Sequence, residues 1–458
     1  MSMDENERFT LSTSIDIARM NKIHLSLVEL FNEMSKRLIE RDQLNRLIGL
    51  TFFCKSNCFL IGDRGVGKSY AIEKLGDSIE GTKPLWQLML KKDTKIEEVF
   101  GRTYQDEKGE WLINTKNSLL EADNIFADEM FKAQGEILSG LLEVLVDRSY
   151  TFGDGKKRKT DIIAFFGASN EYPTERFMLP YVDRFDIWIE VKPIQSKVNR
   201  KKYYLDDYTK DVLESKFISK DDIEFVYNQE ADKVFFNETL INLYIEITTS
   251  FINSEIKTSD RKYRRIIRLI KTIAYLNNRT AVNYSDLFIL LYSAWQNEIE
   301  KERVERDLYD LIFGKKEKID AFLSTLKTRF NDIVNGFNSQ LYKYYSHKYE
   351  FSGESQDKAY SNILSSFYSI IREIDEIHSG LNEIENLYKF NMFVQKELDE
   401  NIIIVDIKSD VFSEELIQSF RDLGIKLKEK KRDTIEWINI NKDLYNYKSN
   451  QKKDFLHK

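Results

Sequence analysis

From Ile23 to Leu50 apolar residues return at helical spacing, through Leu25, Leu27, Leu30, Phe31, Met34, Leu38 and Ile39, and predict amphipathic helix. The pattern then shortens. Phe59-Leu60-Ile61, Leu85 to Leu90, Asn124-Ile125-Phe126-Ala127, Ile162 to Gly167 and Ile187 to Val191 are apolar runs alternating with helical stretches, as expected of buried strands in a parallel sheet. All four prolines, Pro84, Pro173, Pro180 and Pro193, fall in this interval. Residues 196 to 300 carry helical patterns, among them Ile266, Leu269, Ile270, Ile273 and Leu276, and no proline. Beyond residue 301, the positions Ile363, Phe367, Ile370, Ile374, Ile377, Leu381 and Ile384 alternate steps of four and three, an a/d seam of about three heptads. A helix from about Val304 to Tyr345 would be its partner, with the polar stretch Ser346 to Asp357, containing Gly353, as the bend and Phe412 to Trp437 as a third helix. The expected division is 1–37 as leader and helix, 38–195 as an α/β core, 196–300 as a helical second domain and 301–458 as a helical hairpin or triple-helical extension.

Composition narrows the class. With 42% hydrophobic and 32% charged residues the chain reads as folded and soluble, and no segment approaches ~18 uninterrupted apolar residues or has the form of a signal peptide. The cytoplasm is the expected compartment. Two cysteines and four histidines leave little material for a transition-metal cluster. The spacing of Cys54 and Cys58 suggests zinc, but Cys58 opens the run Cys58-Phe59-Leu60-Ile61, where a buried strand thiol fits better. A net charge of -7 argues against a surface built wholly for nucleic acid.

The chemistry concentrates at Gly62-Asp63-Arg64-Gly65-Val66-Gly67-Lys68-Ser69, which fits G-x-x-x-x-G-K-[ST] between a strand-like run and the helical segment Tyr70 to Ile79. Glycines allow backbone amides to curl around phosphates, Lys68 brings positive charge to the β and γ phosphates, and Ser69 offers a hydroxyl to Mg²⁺. A glycine-rich surface turn would not require both Lys68 and Ser69 at the mouth of a helix. About sixty residues on, the run Asn124 to Ala127 ends in Asp128 and Glu129. Alone, such a pair would be two solvated acids at a strand end. After a P-loop, Asp128 would hold the water shell of Mg²⁺ and Glu129 would orient and deprotonate the attacking water.

Here the chain resembles the MoxR branch of AAA+ ATPases, close to its RavA-like members. Ala127-Asp128-Glu129-Met130-Phe131-Lys132-Ala133 is similar to the branch's DE-x-F-K-A signature, Gly167-Ala168-Ser169-Asn170-Glu171 to the sensor 1 segment, Tyr181-Val182-Asp183-Arg184-Phe185 to the arginine-finger segment, and Ser259-Asp260-Arg261 to the start of the sensor 2 helix. The resemblance covers about residues 38 to 300. It implies an α/β P-loop AAA+ core, a parallel sheet flanked by helices, with an all-α lid and a C-terminal helical hairpin or bundle.

It further implies Mg²⁺-dependent ATP hydrolysis, with nucleotide at Gly62 to Tyr70. Asn170 would place water, Arg184 would reach the γ-phosphate of a neighbouring subunit, and Arg261 would touch nucleotide from the lid. The bland readings are a turn former for Asn170, an ion pair with Asp183 or Asp186 for Arg184, and a solvated basic face with Arg264, Arg265 and Arg268 for Arg261. Ile39 to Asp42 stands where such proteins seat the adenine. The family commonly has Pro-Pro where Asp63 and Arg64 stand here, which bears on loop rigidity and affinity.

A hexameric ring, a protein client and a partner with a von Willebrand factor A domain are implied by the resemblance alone. A nucleic-acid motor is the alternative, carried by the basic run Lys156-Lys157-Arg158-Lys159 after the turn Phe152-Gly153-Asp154-Gly155. A GTP-driven restriction subunit is related, but Gly167 to Glu171 lacks its usual wording. A non-hydrolysing scaffold would not need Glu129, Asn170 and Arg184 together.

Overall fold

The computed structural model describes residues 14–105, 107, 111–152, 155–173, 175–205, 216–347 and 354–456. The first thirteen residues, the turn glycine Gly153 with Asp154, and the bend glycine Gly353 lie outside the described residues. The chain divides into two compact units. One comprises residues 1–308 with Val394–Ile407, and the other Tyr309–Phe393 with Lys408–Lys458.

The first unit is built on a five-stranded sheet of β1 (Asn57–Ile61), β2 (Trp86–Met89), β3 (Asn124–Asp128), β4 (Ala164–Ser169) and β5 (Ile187–Glu190). These strands fall on the five apolar runs of the sequence. Their spatial order is β5-β1-β4-β3-β2, and every pair is parallel. All five residues of β1 are buried, because helices cover both faces of such a sheet. Its core is aromatic: the Phe59 ring lies 4.9 Å from Phe185 and 4.8 Å from Trp188. Gly167 in β4 makes room for them, since a Cβ there would sit 2.8 Å from Phe185 and 2.9 Å from Phe59.

Helix α1 (Ile17–Arg37) starts at Asp16, whose side chain accepts the Arg19 amide, and buries Met20, Ile23, Leu27, Leu30, Phe31 and Met34. Leu25, expected on that face, points to solvent because it falls between the buried steps. Helix α2 (Asp42–Phe53) leads into β1, and α3 (Lys68–Asp77) leaves the phosphate loop. After α4 (Gly135–Asp147) and β5, the chain becomes helical, with α5 (Glu238–Asn253), α6 (Asp260–Leu276) and α7 (Glu298–Ile312). Two short antiparallel ribbons, 102–105 with 111–114 and 149–151 with 157–159, are additions that the apolar pattern did not announce. Their residues are largely exposed, so no buried face marks them in sequence.

In the second unit α8 (Lys316–His347), most of α9 (Glu354–Asp399) and α10 (Glu414–Leu456) form a three-helix bundle. All seven seam residues from Ile363 to Ile384 are buried. They belong with Leu323, Leu326, Phe330, Ile333 and Phe337 of α8 and Leu416, Phe420, Leu423 and Leu427 of α10, also buried. Phe367 lies between Phe337, 5.2 Å away, and Trp437, 4.1 Å away. The seam from Ile363 to Ile384 is therefore satisfied inside the bundle.

Candidate nucleotide site

Parallel topology places the ends of β1, β3 and β4 side by side, and each continues into a candidate residue. Beyond Ile61 the phosphate loop turns with positive φ at Gly65 and Gly67, a backbone that favours glycine. At Gly62 the reason is proximity, since a Cβ there would stand 2.3 Å from the Val191 carbonyl oxygen. Lys68 opens α3, buried, and its ammonium donates to the carbonyls of Gly62 and, at 3.0 Å, Asp63. Burial lowers its pKa from the ordinary value, opposed by the carboxylates of Asp128, Glu129 and Asp63. Ser69 is half-buried one residue on.

Asp128 ends β3, and its Oδ1 accepts the Glu129 amide at 3.0 Å. Glu129 itself sits in the left-handed region, φ 53°, with its side chain 3% exposed. A non-glycine residue held there carries local strain of about 1 kcal/mol or more. Three donors converge on the carboxylate. Asn170 Nδ2, just past β4, donates to Oε1 at 2.8 Å, Arg64 reaches the same oxygen at 3.3 Å, and Lys132 Nζ stands 3.0 Å from Oε2. Asn170 Oδ1 is buried with no hydrogen-bond partner. The structure thus brings Lys68, Glu129 and Asn170 to one place, and adds Arg64 and Lys132, to which the sequence assigned no catalytic part. Lys132 stands in the DE-x-F-K-A segment three residues after Glu129, which is the signal that could have found it.

Beside the loop lies a cavity of about 750 Å³. Asp63 to Gly67 and Tyr70 line one side, and Leu38, Ile39, Arg41, Pro193, Tyr203 and Tyr204 are among the residues of the other walls. Arg41 is buried and its Nε donates to the Val66 carbonyl at 3.1 Å. Burial lowers its pKa, against the opposing effect of Glu40. Ile39 and Arg41 come from the segment that the resemblance set at the adenine. That Arg41 and the two tyrosines face this cavity was not legible, because nothing local in sequence points them toward the loop.

Arg184 and Arg261 stand elsewhere. Both line a cavity of about 230 Å³ with Arg148, Asp186, Arg265 and Arg268, and no residue from 62 to 70 borders it. Arg184 pairs with Asp183, as its bland reading expected, while its Nε is buried with no partner. Arg265 donates to Asp186 and, at 2.6 Å, to the Asp183 carbonyl, so the basic face of α6 is tied to the Arg184 segment. That tether keeps the start of α6, with Arg261, beside Arg184.

The residues that would hold a divalent ion are the Ser69 hydroxyl at the start of α3 and the Asp128 carboxylate at the end of β3. Hard oxygen donors of this number suit Mg²⁺, which keeps waters and phosphate oxygens as its remaining ligands. Among the described residues no cluster of three or more His, Cys, Asp or Glu could hold a metal by itself. Cys54 and Cys58 are free and buried, and burial raises both thiols, Cys54 to about 12.

Comparison with known proteins points the same way. Residues 25–222 match the MoxR domain described in MoxR-vWA-beta-propeller ternary systems, and residues 238–308 match an AAA lid domain. Over residues 25–308 the chain is thus similar to MoxR-family AAA+ ATPases. Two uncharacterized proteins of Methanocaldococcus jannaschii are each 27% identical to it, over 67% and 69% of this chain and 83% and 82% of their own lengths. A structural protein of Acidianus two-tailed virus is 24% identical over 61% of this chain and 51% of its own. A solved structure from Cytophaga hutchinsonii, described as a candidate ATPase, is similar in fold with TM-score 0.53 and 18% identity, over 65% of this chain and 96% of that one. No helix of the described residues is long and apolar enough to cross a membrane.

Proposed function

We propose that this chain hydrolyses ATP with Mg²⁺, in a RavA-like MoxR ring whose neighbouring subunits complete each other's sites, to remodel a protein client. The observation that carries the reading is the Glu129 carboxylate, buried between Asn170 and two cations at the ends of β3 and β4, beside Lys68. Such a carboxylate is placed to take a proton from water attacking the γ-phosphate, and the orphan Asn170 Oδ1 is an acceptor for that water. Bound Mg²⁺ would neutralise charge on the β and γ phosphates. The loop amides and Lys68 would bind the phosphates, and the Arg41, Tyr203 and Tyr204 cavity would take the base and ribose.

Arg184 and Arg261, away from the phosphate loop of their own chain, suit the nucleotide of a neighbour. A hexamer is the assembly such in-trans residues fit. The family description supports a von Willebrand factor A-domain partner, and with it a β-propeller protein. The nucleic-acid reading is weaker, because the basic ribbon spends charge internally: Lys157 pairs with Asp147 at 2.5 Å and Arg158 lies over the Phe152 ring.

ATP turnover of the wild type, Glu129→Gln and Arg184→Ala, measured against protein concentration with the assembly mass in parallel, tests the reading. Turnover should rise with assembly and fall at least about a hundredfold in both variants. Undiminished turnover in both would remove the site assignment, and a preference for GTP would favour the restriction-type alternative.

A further inference from the structure

Arg64 occupies the phosphate loop itself, yet its guanidinium reaches across to Glu129. The pairing is unequal. Arg64 has a side chain 66% exposed on a long stem, while Glu129 is 3% exposed and fixed by its backbone. A carboxylate offers about four acceptor positions. Three donors, Arg64, Asn170 and Lys132, already use most of them, which leaves little room for a water whose proton Glu129 is to take.

We propose that Arg64 is a positioning residue: in the empty or ADP-bound loop it holds Glu129 back, and the γ-phosphate of ATP draws it away and frees the carboxylate. This rests on the ATPase reading above. The physical reason is competition for one guanidinium. A γ-phosphate brings more negative charge and more acceptor oxygens than one carboxylate, and arginine matches phosphate geometry with paired N–H donors. Asn170 and Lys132, anchored outside the loop, stay with Glu129 and keep it oriented. ADP lacks the competing group, so the Arg64 to Glu129 contact survives in its presence. The loop thus reports the third phosphate within one subunit, independently of any neighbour.

The test is a binding cycle with ADP and the non-hydrolysable imido analogue of ATP, both with Mg²⁺, on the wild type, Arg64→Ala, Glu129→Gln and the double variant. Arg64→Ala should weaken the analogue about tenfold and change ADP less than about twofold. Glu129→Gln should tighten the analogue about three- to tenfold while Arg64 is present, since the arginine no longer has to leave a charged partner, and should not in the Arg64→Ala background. A merely structural role for Arg64 would move both nucleotides alike. Equal effects on analogue and ADP, or the same Glu129→Gln shift with and without Arg64, overturns the proposal. Lys68→Ala separates the two levels. If it abolishes binding while the cycle shows no coupling, only the role of Arg64 falls. If it binds both nucleotides as the wild type does, the nucleotide site falls and the inference with it.

Discussion

The phosphate loop and the segment 401–405 belong to the same unit but are held by opposite means. In the loop the groups that matter are neighbours in sequence, and the backbone of Gly65 and Gly67 dictates their arrangement. Segment 401–405, Asn-Ile-Ile-Ile-Val, reads as an apolar run, yet it joins no sheet. Its amides are taken one after another by side-chain oxygens. Asn277 Oδ1 accepts Ile402 N at 2.7 Å, Asn401 Oδ1 accepts Ile403 N and Ile404 N at 2.9 Å, and Gln43 Oε1 accepts Val405 N at 2.8 Å. Gln43 and Arg46 of α2 return bonds to the carbonyls of Ile403 and Ile402. Asn401 Nδ2 also reaches Ser285 Oγ at 2.8 Å. The strap therefore binds α2, next to the phosphate loop, to the lid. Where a buried backbone lacks a ladder, its polar groups must find other partners, and these can come from anywhere in the chain.

The comparison predicts a separation of function from stability. Lys68→Ala should lower nucleotide affinity about a thousandfold, roughly 4 kcal/mol, by deleting a charge-assisted contact to phosphate. The nucleotide-free protein should not melt earlier, because burial already lowers the pKa of this ammonium and disfavours its charged form. Nucleotide titration beside a thermal melt checks both halves, and a large fall in melting temperature would show that the loop depends on Lys68 for its shape.

Asn401→Ala should do the reverse. It removes the acceptor of two buried amides and of Asn277 Nδ2, together with a donor to Ser285 Oγ, a loss of about 3 kcal/mol. Trp188 and Trp295 are buried in this unit, whereas Trp437 belongs to the other, so a Trp437→Phe background lets fluorescence follow urea unfolding of the strap's own unit. Nucleotide affinity of the folded protein should stay within about threefold. A loss under about 1 kcal/mol would mean that water replaces the amide and that the strap is not a structural tie.

What was legible follows the same division. Strand positions, the phosphate loop, Asp128 and Glu129 could be read because each signal is local: an apolar run, a glycine spacing, a carboxylate at a strand end. The packing of Glu129 against Asn170 follows from β3 and β4 being adjacent, a pairing that periodicity could not give. The reach of Arg64 to Glu129, that of Arg41 to Val66 and the 401–405 strap were not legible, since a charged or amide side chain carries no local sign of the distant group it meets. Residues 301–458 read as one helical extension for that reason, although Val394–Ile407 returns to the first unit.

Lys262 tests the boundary of this division, because it stands next to a legible motif and is itself illegible. It follows Arg261 on a helix whose basic positions Arg261 and Arg264 are exposed, yet it is 0% exposed and its Nζ has no hydrogen-bond partner. The ring of Trp188, 5.9 Å away, offers weak compensation. Burial lowers the ammonium from 10.5 to about 8, against the opposing pull of Asp186 and Asp183. A folded pKa below the unfolded one means that the unfolded chain binds more protons between these two values, so stability rises with pH across that window. Below about pH 8 the burial cost is complete. Lys262→Met should therefore stabilise the first unit by about 2 kcal/mol at pH 7, and the gain should shrink toward zero as the pH approaches 10. Urea midpoints of the two proteins at pH 7 and pH 10 measure it. A variant less stable at both would show that the amine is held by partners stronger than the tryptophan ring, and the lysine would then belong with Asn401 among the polar groups that the fold satisfies from a distance.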